Sequence, residues 1–320
     1  MQPSPDQPAV KFMYVNAGAS SVLCPGECAG PVLDTSSVLP DVVEAMVDWD
    51  VASPQQARAL SFKCTPGYAL HLFVNYRTPM RSTWQFGSRR YRQTEYRHFL
   101  ATLPTGVVTS LPRGPLGMIV VRLKPEAATR LVGARPRYFL GAAIELDDLF
   151  GASRVSLLEE RLSEASTSAE RFSHMRTFLL SNLHPPEDES VVSRAAGLLR
   201  RDPCLRVRQL AARLEVSERH LCRDFSAMFG MGPKQFARIA RIERVLSARA
   251  QGATWADIAY ATRFADQAHM INDFTAIVGV SPAELGHQLT LSRWSLVHRL
   301  PGSSRAFVRD TSPGPYSANA

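Results

Sequence analysis

The chain lacks any run of roughly 18 apolar residues, which excludes a membrane-spanning helix. Its opening stretch, Met1 to Val10, is polar and proline-rich and has no apolar segment of the kind a secretory signal needs. Cysteine is scarce and odd in number, five in 320 residues. That argues against a disulfide framework and for a reducing, cytoplasmic setting. Cys24 and Cys28 enclose Pro-Gly-Glu, a spacing unlike the two-residue zinc clip, and Cys64, Cys204 and Cys222 supply no second pair. A Gly-rich phosphate loop and metal ligands at helical spacing are also missing, so neither a cofactor nor a metal is expected. Lysine is nearly absent: Lys11, Lys63, Lys124 and Lys234 are the only four, and Arg carries the remaining positive charge.

What is present is ordinary for a soluble globular protein. The residues are 45% hydrophobic and 21% charged, over a length that corresponds to about two domains. The charge is divided unevenly. Residues 1–190 contain 19 basic and 19 acidic side chains, whereas residues 191–320 contain 18 and 10, so the whole net charge of +8 lies in the last part. Such an excess at one end is an electrostatic footprint for a polyanion. Arginine forks suit phosphates and guanine edges, although a bias in codon composition would also raise the Arg-to-Lys ratio.

The first 35 residues are rich in Pro, Gly, Ser and Ala, with one short strand pattern at Lys11–Val15. Tyr68–Tyr76, Gly106–Leu111 and Gly117–Leu123 are β-rich runs bounded by Gly and Pro. Pro125 ends the last of these, and Glu126–Val132 follows as a short helical pattern. Trp49, Phe73, Tyr76, Trp84, Phe86 and Tyr91 either line a ligand pocket or belong to a core. From Asp147 the texture changes, and Ser156–Leu162 and Glu170–Leu183 have helical periodicity. Leu183–Ser190 is polar, with two prolines and a run of acids, as a linker would be. Everything from Val191 to about Leu289 reads as helix, and Pro301–Ala320 is Pro/Gly/Ser-rich.

The helical part contains a repeat. Leu210-Ala211 aligns with Ile258-Ala259 at an offset of 48; after one inserted residue the offset becomes 49. Ser217 then matches Asp266, His220 matches His269, Leu221 matches Met270, Asp224-Phe225 matches Asp273-Phe274, and Gly230 and Pro233 match Gly279 and Pro282. Each copy reads as a short helix, a tight turn, and an N-capped second helix with apolar residues every fourth position. This is a helix-turn-helix written twice. The outer face of the first capped helix offers Glu218, Arg219, Cys222 and Arg223; that of the second offers Gln267, Ala268, His269, Ile271 and Asn272. Arg, Gln and Asn are the side chains that read base edges in pairs of hydrogen bonds. One such face alone is more simply a solvated helix surface; two, in a positively charged domain, point to DNA. Between the copies, Lys234–Ala250 carries an apolar stripe of Phe236, Ile239, Ile242, Val245 and Leu246, with Arg at 238, 241, 244 and 249. Its seventeen residues span roughly 25 Å, enough to hold two readout helices in successive major-groove segments.

These residues resemble the AraC/XylS-type transcription regulators, over roughly Val192–Leu289. The resemblance rests on LAARLEVSERHLCRDF (210–225), FGMGPKQF (229–236), RIERVL (241–246), IAYATRFADQAHMINDF (258–274) and VGVSPAEL (278–285), with the closing Gly279-Val280-Ser281-Pro282 the most specific part. It implies a sequence-specific DNA-binding regulator of transcription. Arg219, Cys222 and Arg223 from the first helix, and Gln267, Ala268 and Asn272 from the second, would face bases. Ser217, Lys234 and Thr254 would contact phosphates. His220 and His269 take either a packing or a DNA role. Two departures stand out: Arg263-Phe264 occupies the second turn, where the family usually has Gly-Phe, and Asn272 replaces a usual Arg. The first sets up the expectation that the second motif sits differently. Arg223 does match the family Arg, so the first helix follows the family more closely. The run 117–133 with LDDLFG (146–151) resembles the β-rich sensor domain of one branch of the family, which binds a small molecule or mediates dimerisation.

The expected fold class is therefore α+β. A flexible leader (1–35) precedes a β-rich sensor-like or dimerisation domain that ends in helices (36–183). A linker (184–190), an all-α double helix-turn-helix domain (191–289) and a disordered tail (290–320) complete it. Double-stranded operator DNA is the expected partner, and no membrane is. RNA polymerase, a second copy of the chain and a small-molecule effector are further partners the resemblance leaves open, with a cytoplasmic, nucleoid-associated location. An enzyme is not expected. Pro203–Val207 (PCLRV) is similar to the Pro-Cys-His-Arg-Val of DNA alkyl-transfer proteins, but Leu205 stands where the thiolate-activating His would be. The competing readings are a nonspecific architectural DNA binder and an enzyme with an appended DNA module.

Overall fold

The computed structural model describes residues 32–296 apart from 35–38, 40, 59, 61, 93–94, 96, 102–104, 126–129, 132–142, 186–189, 251–252 and 292–293. The strand pattern at Lys11–Val15, Cys24 and Cys28, most of the 126–132 helix pattern, and residues 297–320 lie outside the described residues.

The N-terminal half is strand-rich, as expected, and builds two sheets. The larger places β1 (Val32–Asp34), β2 (Val43–Val51), β9 (Leu116–Leu123), β4 (Leu70–Asn75), β7 (His98–Ala101) and β10 (Ala143–Glu145) side by side in that order, all antiparallel. The smaller runs β11 (Trp294–Leu296), β3 (Phe62–Cys64), β8 (Val107–Pro112), β5 (Met80–Phe86) and β6 (Arg89–Arg92). A short helix, α1 (Pro54–Arg58), follows β2. β1 and β11 fall within the stretches expected as leader and tail. The ladder hydrogen bonds of β2 and β3 pull these short segments onto sheet edges, a tertiary effect their composition does not announce.

β9 is buried at every position, and its alternation distributes side chains to two different cores. Leu116, Met118 and Val120 pack with Val47, Trp49, Val51 and Phe62. Ile119, Val121 and Leu123 face the other way, with Leu70, Leu72 and Val74, against α2 (Leu146–Phe150), α3 (Ala152–Glu164) and α4 (Ser168–Asn182). α4 starts with a full capping box between Thr167 and Glu170. Its Arg171 is clamped beneath the sheet, paired with Asp48 at 3.0 Å and Asp50 at 2.8 Å, and its remaining donors reach the Leu162 and Ala165 carbonyls. Every polar group of this buried cluster thus has a counterpart, Tyr76 included, whose hydroxyl donates to Asp48 at 2.7 Å.

The six aromatics weighed as a pocket do not converge. Trp49 sits edge-on to Phe62 in one core, Tyr76 belongs to the other, and Phe73 stacks on Phe99. Trp84 stacks with Phe86 at the far sheet. The side chain of Tyr91 lies outside the described residues.

The C-terminal part is helical: α5 (Val191–Arg201), α6 (Val207–Arg213), α7 (Glu218–Phe229), α8 (Pro233–Ala250), α9 (Trp255–Ala261), α10 (Gln267–Val278) and α11 (Pro282–Leu291). The stripe expected along the connecting helix is buried: Phe236, Ile239, Ile242, Val245 and Leu246 form the spine of one core with α5, α6, α7, α9 and α10. Val107 of β8, with Tyr68 and Ala69 just before β4, joins that same core, so the β-rich and helical parts share buried surface.

Candidate nucleic-acid interface

The repeat is exact in backbone as well as in sequence pattern. α6 and α9 are seven residues each, α7 and α10 twelve, offset by 48 and then 49. Each readout helix is N-capped by the matched pair: the Ser217 hydroxyl accepts from the His220 amide, and the Asp266 carboxylate from that of His269. Each ends in a left-handed glycine, Gly230 at φ 67° and Gly279 at φ 81°. The turns also agree. Glu215 (φ 57°) and Arg263 (φ 54°) both adopt the left-handed conformation without being glycine. Val216 and Phe264 then close the turns by donating to the Ala211 and Ala259 carbonyls. The expectation that Arg263 would seat the second motif differently is therefore corrected: the first motif carries the same strain at Glu215. Buried Phe264 and the Arg241 guanidinium, which lies 3.5 Å over its ring centroid and donates to the Thr262 carbonyl, hold the second turn in place.

The faces divide as the spacing requires. Leu221, Phe225 and Phe229 of α7, and Met270, Phe274 and Val278 of α10, are buried. Arg219, Arg223, Gln267, Ala268 and Asn272 are exposed, and Cys222 is half-buried. Ser217, Lys234 and Thr254 are exposed at helix starts, but the Ser217 and Thr254 hydroxyls are already engaged as caps. Thr254 accepts from the Asp257 amide and donates to the Asp257 carboxylate, which places a negative charge beside it. The two readout faces differ in charge: α10 has no Lys or Arg between Gln267 and Val278, whereas α7 has Arg219 and Arg223. Arg223 is hydrogen-bonded to Asp224, which raises the pKa of the guanidinium and lowers that of the carboxyl. His269 stands edge-on to Phe264, a packing contact, while His220 is turned to Arg223 and Asp224.

The α8 arginines are largely inward clips. Arg238 pairs with Asp273 of α10 at 2.5 Å. Arg244 donates to the Arg200 and Arg201 carbonyls, covering the C-terminal end of α5. Arg249 donates to the Ala253 carbonyl and lies over the Trp255 ring.

Sequence reasoning passed over the polar joint between sheet and helices. Glu243 of α8 is 3% exposed and pairs with Arg122 of β9 at 2.6 Å; Arg122 pairs in turn with Glu44 at 2.5 Å, and Glu44 with Arg200 of α5 at 2.6 Å. A register shift between Val43 and Ala45 leaves Glu44 outside the β2–β9 ladder. Burial pushes the Glu243 pKa up, while at Arg122 the two carboxylates outweigh burial and raise it. Burial, helped by Arg122, drives His71 down to about 3. The signal for Glu243 was an acid set i+4 from Ile239 and i−3 from Leu246, inside the apolar stripe. At the other end of the joint the β5–β6 turn and the residue before β8 cap α10: the Gly87 and Gly106 amides donate to the Gly279 and Ile277 carbonyls, both at 3.0 Å. Gly279 has no room for a side chain there, since a β-carbon would fall 2.7 Å from Phe86 and 2.9 Å from the Gly87 nitrogen.

Residues 210–288 match the family described as "Helix-turn-helix domain". They form an AraC/XylS-type double helix-turn-helix domain. A search of curated proteins found no match. Among solved structures, ToxT from Vibrio cholerae is similar over 82% of this chain and 98% of its own, at 11% identity and a TM-score of 0.44. A ToxT structure described as bound to an unsaturated fatty acid gives 80%, 94%, 14% and 0.41. The AraC-like transcriptional activator CuxR gives 69%, 81%, 19% and 0.25. In the AraC/XylS-type domain, Cys204 lies between α5 and α6 with its sulfur 3.7 Å from the Thr262 carbonyl, at the second turn. Among the described residues no helix is long and apolar enough to cross a membrane, and no cluster of ligating side chains could hold a metal.

Proposed function

We propose that this chain is a sequence-specific DNA-binding regulator of transcription whose α7 and α10 enter successive major-groove segments of one operator face. The observation that carries this is the duplicated unit, with the same caps, turns and closing glycines in both copies, held on one rigid α8. Arg219, Cys222 and Arg223 read bases in one segment, and Gln267, Ala268 and Asn272 in the next. Lys234, with the helix starts at Ser217 and Thr254, contacts phosphates. The uncharged face of α10 favours specific readout over nonspecific binding, because hydrogen-bonding amides add little to a purely electrostatic grip.

In this reading the N-terminal sheets serve effector binding or dimerisation, and the ion-pair joint connects them to the DNA-binding helices. The chain acts as a binder rather than an enzyme, in the cytoplasm at the nucleoid, with RNA polymerase as a further partner. The test is binding of the full chain to a duplex pool randomised over a window of about two helical turns, sequenced before and after selection. Two short blocks of base preference on one face are expected. Arg223→Ala should flatten one position within one block, at about 1–3 kcal/mol. Selection that enriches no sequence would refute the reading.

A further inference from the structure

Three side chains on the outer face of α7 form a closed ring. The Arg223 Nε–H donates to Asp224 Oδ1 at 2.8 Å, and its Nη2 donates to His220 Nδ1 at 2.9 Å. His220 Nε2–H in turn lies 3.1 Å from Asp224 Oδ2. Donors and acceptors match only if the imidazole is neutral with its hydrogen on Nε2, since Nδ1 must then accept. Two of the five guanidinium donors, those on the side of Nε, are thereby committed. The outward fork, built from one Nη1 hydrogen and the second on Nη2, remains available. That fork is the one that grips guanine O6 and N7 in parallel.

We infer that His220 and Asp224 are positioning residues for base readout: they hold Arg223 side-on so that it presents its outward fork to a single guanine. The inference rests on the reading of Arg223 as a base contact and deepens it. An exposed arginine without such a brace samples many rotamers and must be ordered when it binds, which weakens discrimination more than contact. The second copy contains no such ring: Asp273, the residue matching Asp224, is taken by Arg238 of α8, and Asn272 stands where Arg223 would be. The two half-elements would therefore be read by different chemistry, a braced guanidinium in one and carboxamides in the other.

The charged groups facing His220 are Arg223 and Asp224 of its own helix. Among the described residues no charged side chain of α5, α6 or α8 lies within ion-pair distance of the three.

The experiment uses the full chain and the randomised duplex pool, with enrichment read position by position. Wild type, Arg223→Ala, His220→Ala, His220→Gln and Asp224→Ala are compared at fixed salt and pH. The position flattened by Arg223→Ala should lose about three- to tenfold of its preference in His220→Ala and Asp224→Ala. The other positions and the salt slope should stay unchanged. His220→Gln should keep the preference, because a carboxamide offers an acceptor and a donor at similar spacing. Undiminished preference there in His220→Ala, with Arg223→Ala flattening it, overturns the brace while leaving the readout reading intact. A uniform loss across all sequences in Arg223→Ala overturns both.

Discussion

Arg122→Met is the sharpest perturbation of the joint between the sheets and the DNA-binding helices. Arg122 touches both buried carboxylates, Glu44 and Glu243, at 2.5 and 2.6 Å. Methionine roughly fills the stem of the lost side chain but leaves two acids facing each other, with Arg200 still paired to Glu44. A charge pair at contact distance is worth about 4 kcal/mol at an effective dielectric constant near 20, and two such pairs are lost. The guanidinium's own desolvation penalty is relieved at the same time, which brings the expected loss to about 3–5 kcal/mol. Glu243→Gln should behave differently. Burial already favours the protonated acid, so removing this charge relieves a strain, and the amide oxygen can still accept from Arg122. Its cost should be about 1 kcal/mol or less. Urea unfolding of the full chain, followed by far-UV circular dichroism, measures both. Adding Glu243→Gln to Arg122→Met should recover at least about 1 kcal/mol, read as a coupling energy in the double-mutant cycle. If Arg122→Met lies within about 1 kcal/mol of wild type, or Glu243→Gln costs as much, the joint is not held by buried charge.

Three further outcomes follow from named contacts. Phe225→Ala and Phe274→Ala should each lower stability by about 3–5 kcal/mol, since both rings are buried at the centre of a readout helix; unchanged melting would show the faces to be wrongly assigned. Gly279→Ala should cost more than Gly230→Ala. Both lose a left-handed glycine, at about 1–2 kcal/mol, but only the first forces a β-carbon against the Gly87 backbone; equal losses would mean that the hairpin does not dock on α10 in solution. His71 is held neutral in the fold, its pKa down at about 3. Its contribution is complete above the ordinary imidazole value of about 6.5 and is lost as pH falls towards 3, at up to about 1.4 kcal/mol per pH unit. The difference in unfolding free energy between wild type and His71→Gln, followed between pH 8 and 4, should shrink on acidification, and a flat difference would count against the burial of this ring.

The double helix-turn-helix was fully legible in the chain. Its features are local: caps at Ser217 and Asp266, apolar residues every fourth position, glycines at the helix ends, and a repeat that states each of them twice. The outward positions of Arg219, Arg223, Gln267 and Asn272 followed from the same periodicity. The turn at Arg263 was misjudged because glycine is the usual device there. A side chain can instead be held left-handed by packing from Phe264 and Arg241, which only the folded domain supplies. Strand β2 was not anticipated, because its alternation divides Val47, Trp49 and Val51 from Met46, Asp48 and Asp50 between two cores, and the acids on it become intelligible only once Arg171 of α4 arrives from 121 or more residues away.

The sequence by itself determined the elements whose stabilising contacts lie within a few residues: the capped helices, the connecting rod and the charge difference between the two halves. Tertiary structure alone decided how those halves meet. The pairing of Glu44, Arg122, Glu243 and Arg200, and the capping of α10 by Gly87 and Gly106, join residues distant in the chain through single hydrogen bonds and ion pairs. Such contacts leave no periodic trace, since each needs just one residue of the right type at a position that the packing of the two cores alone defines.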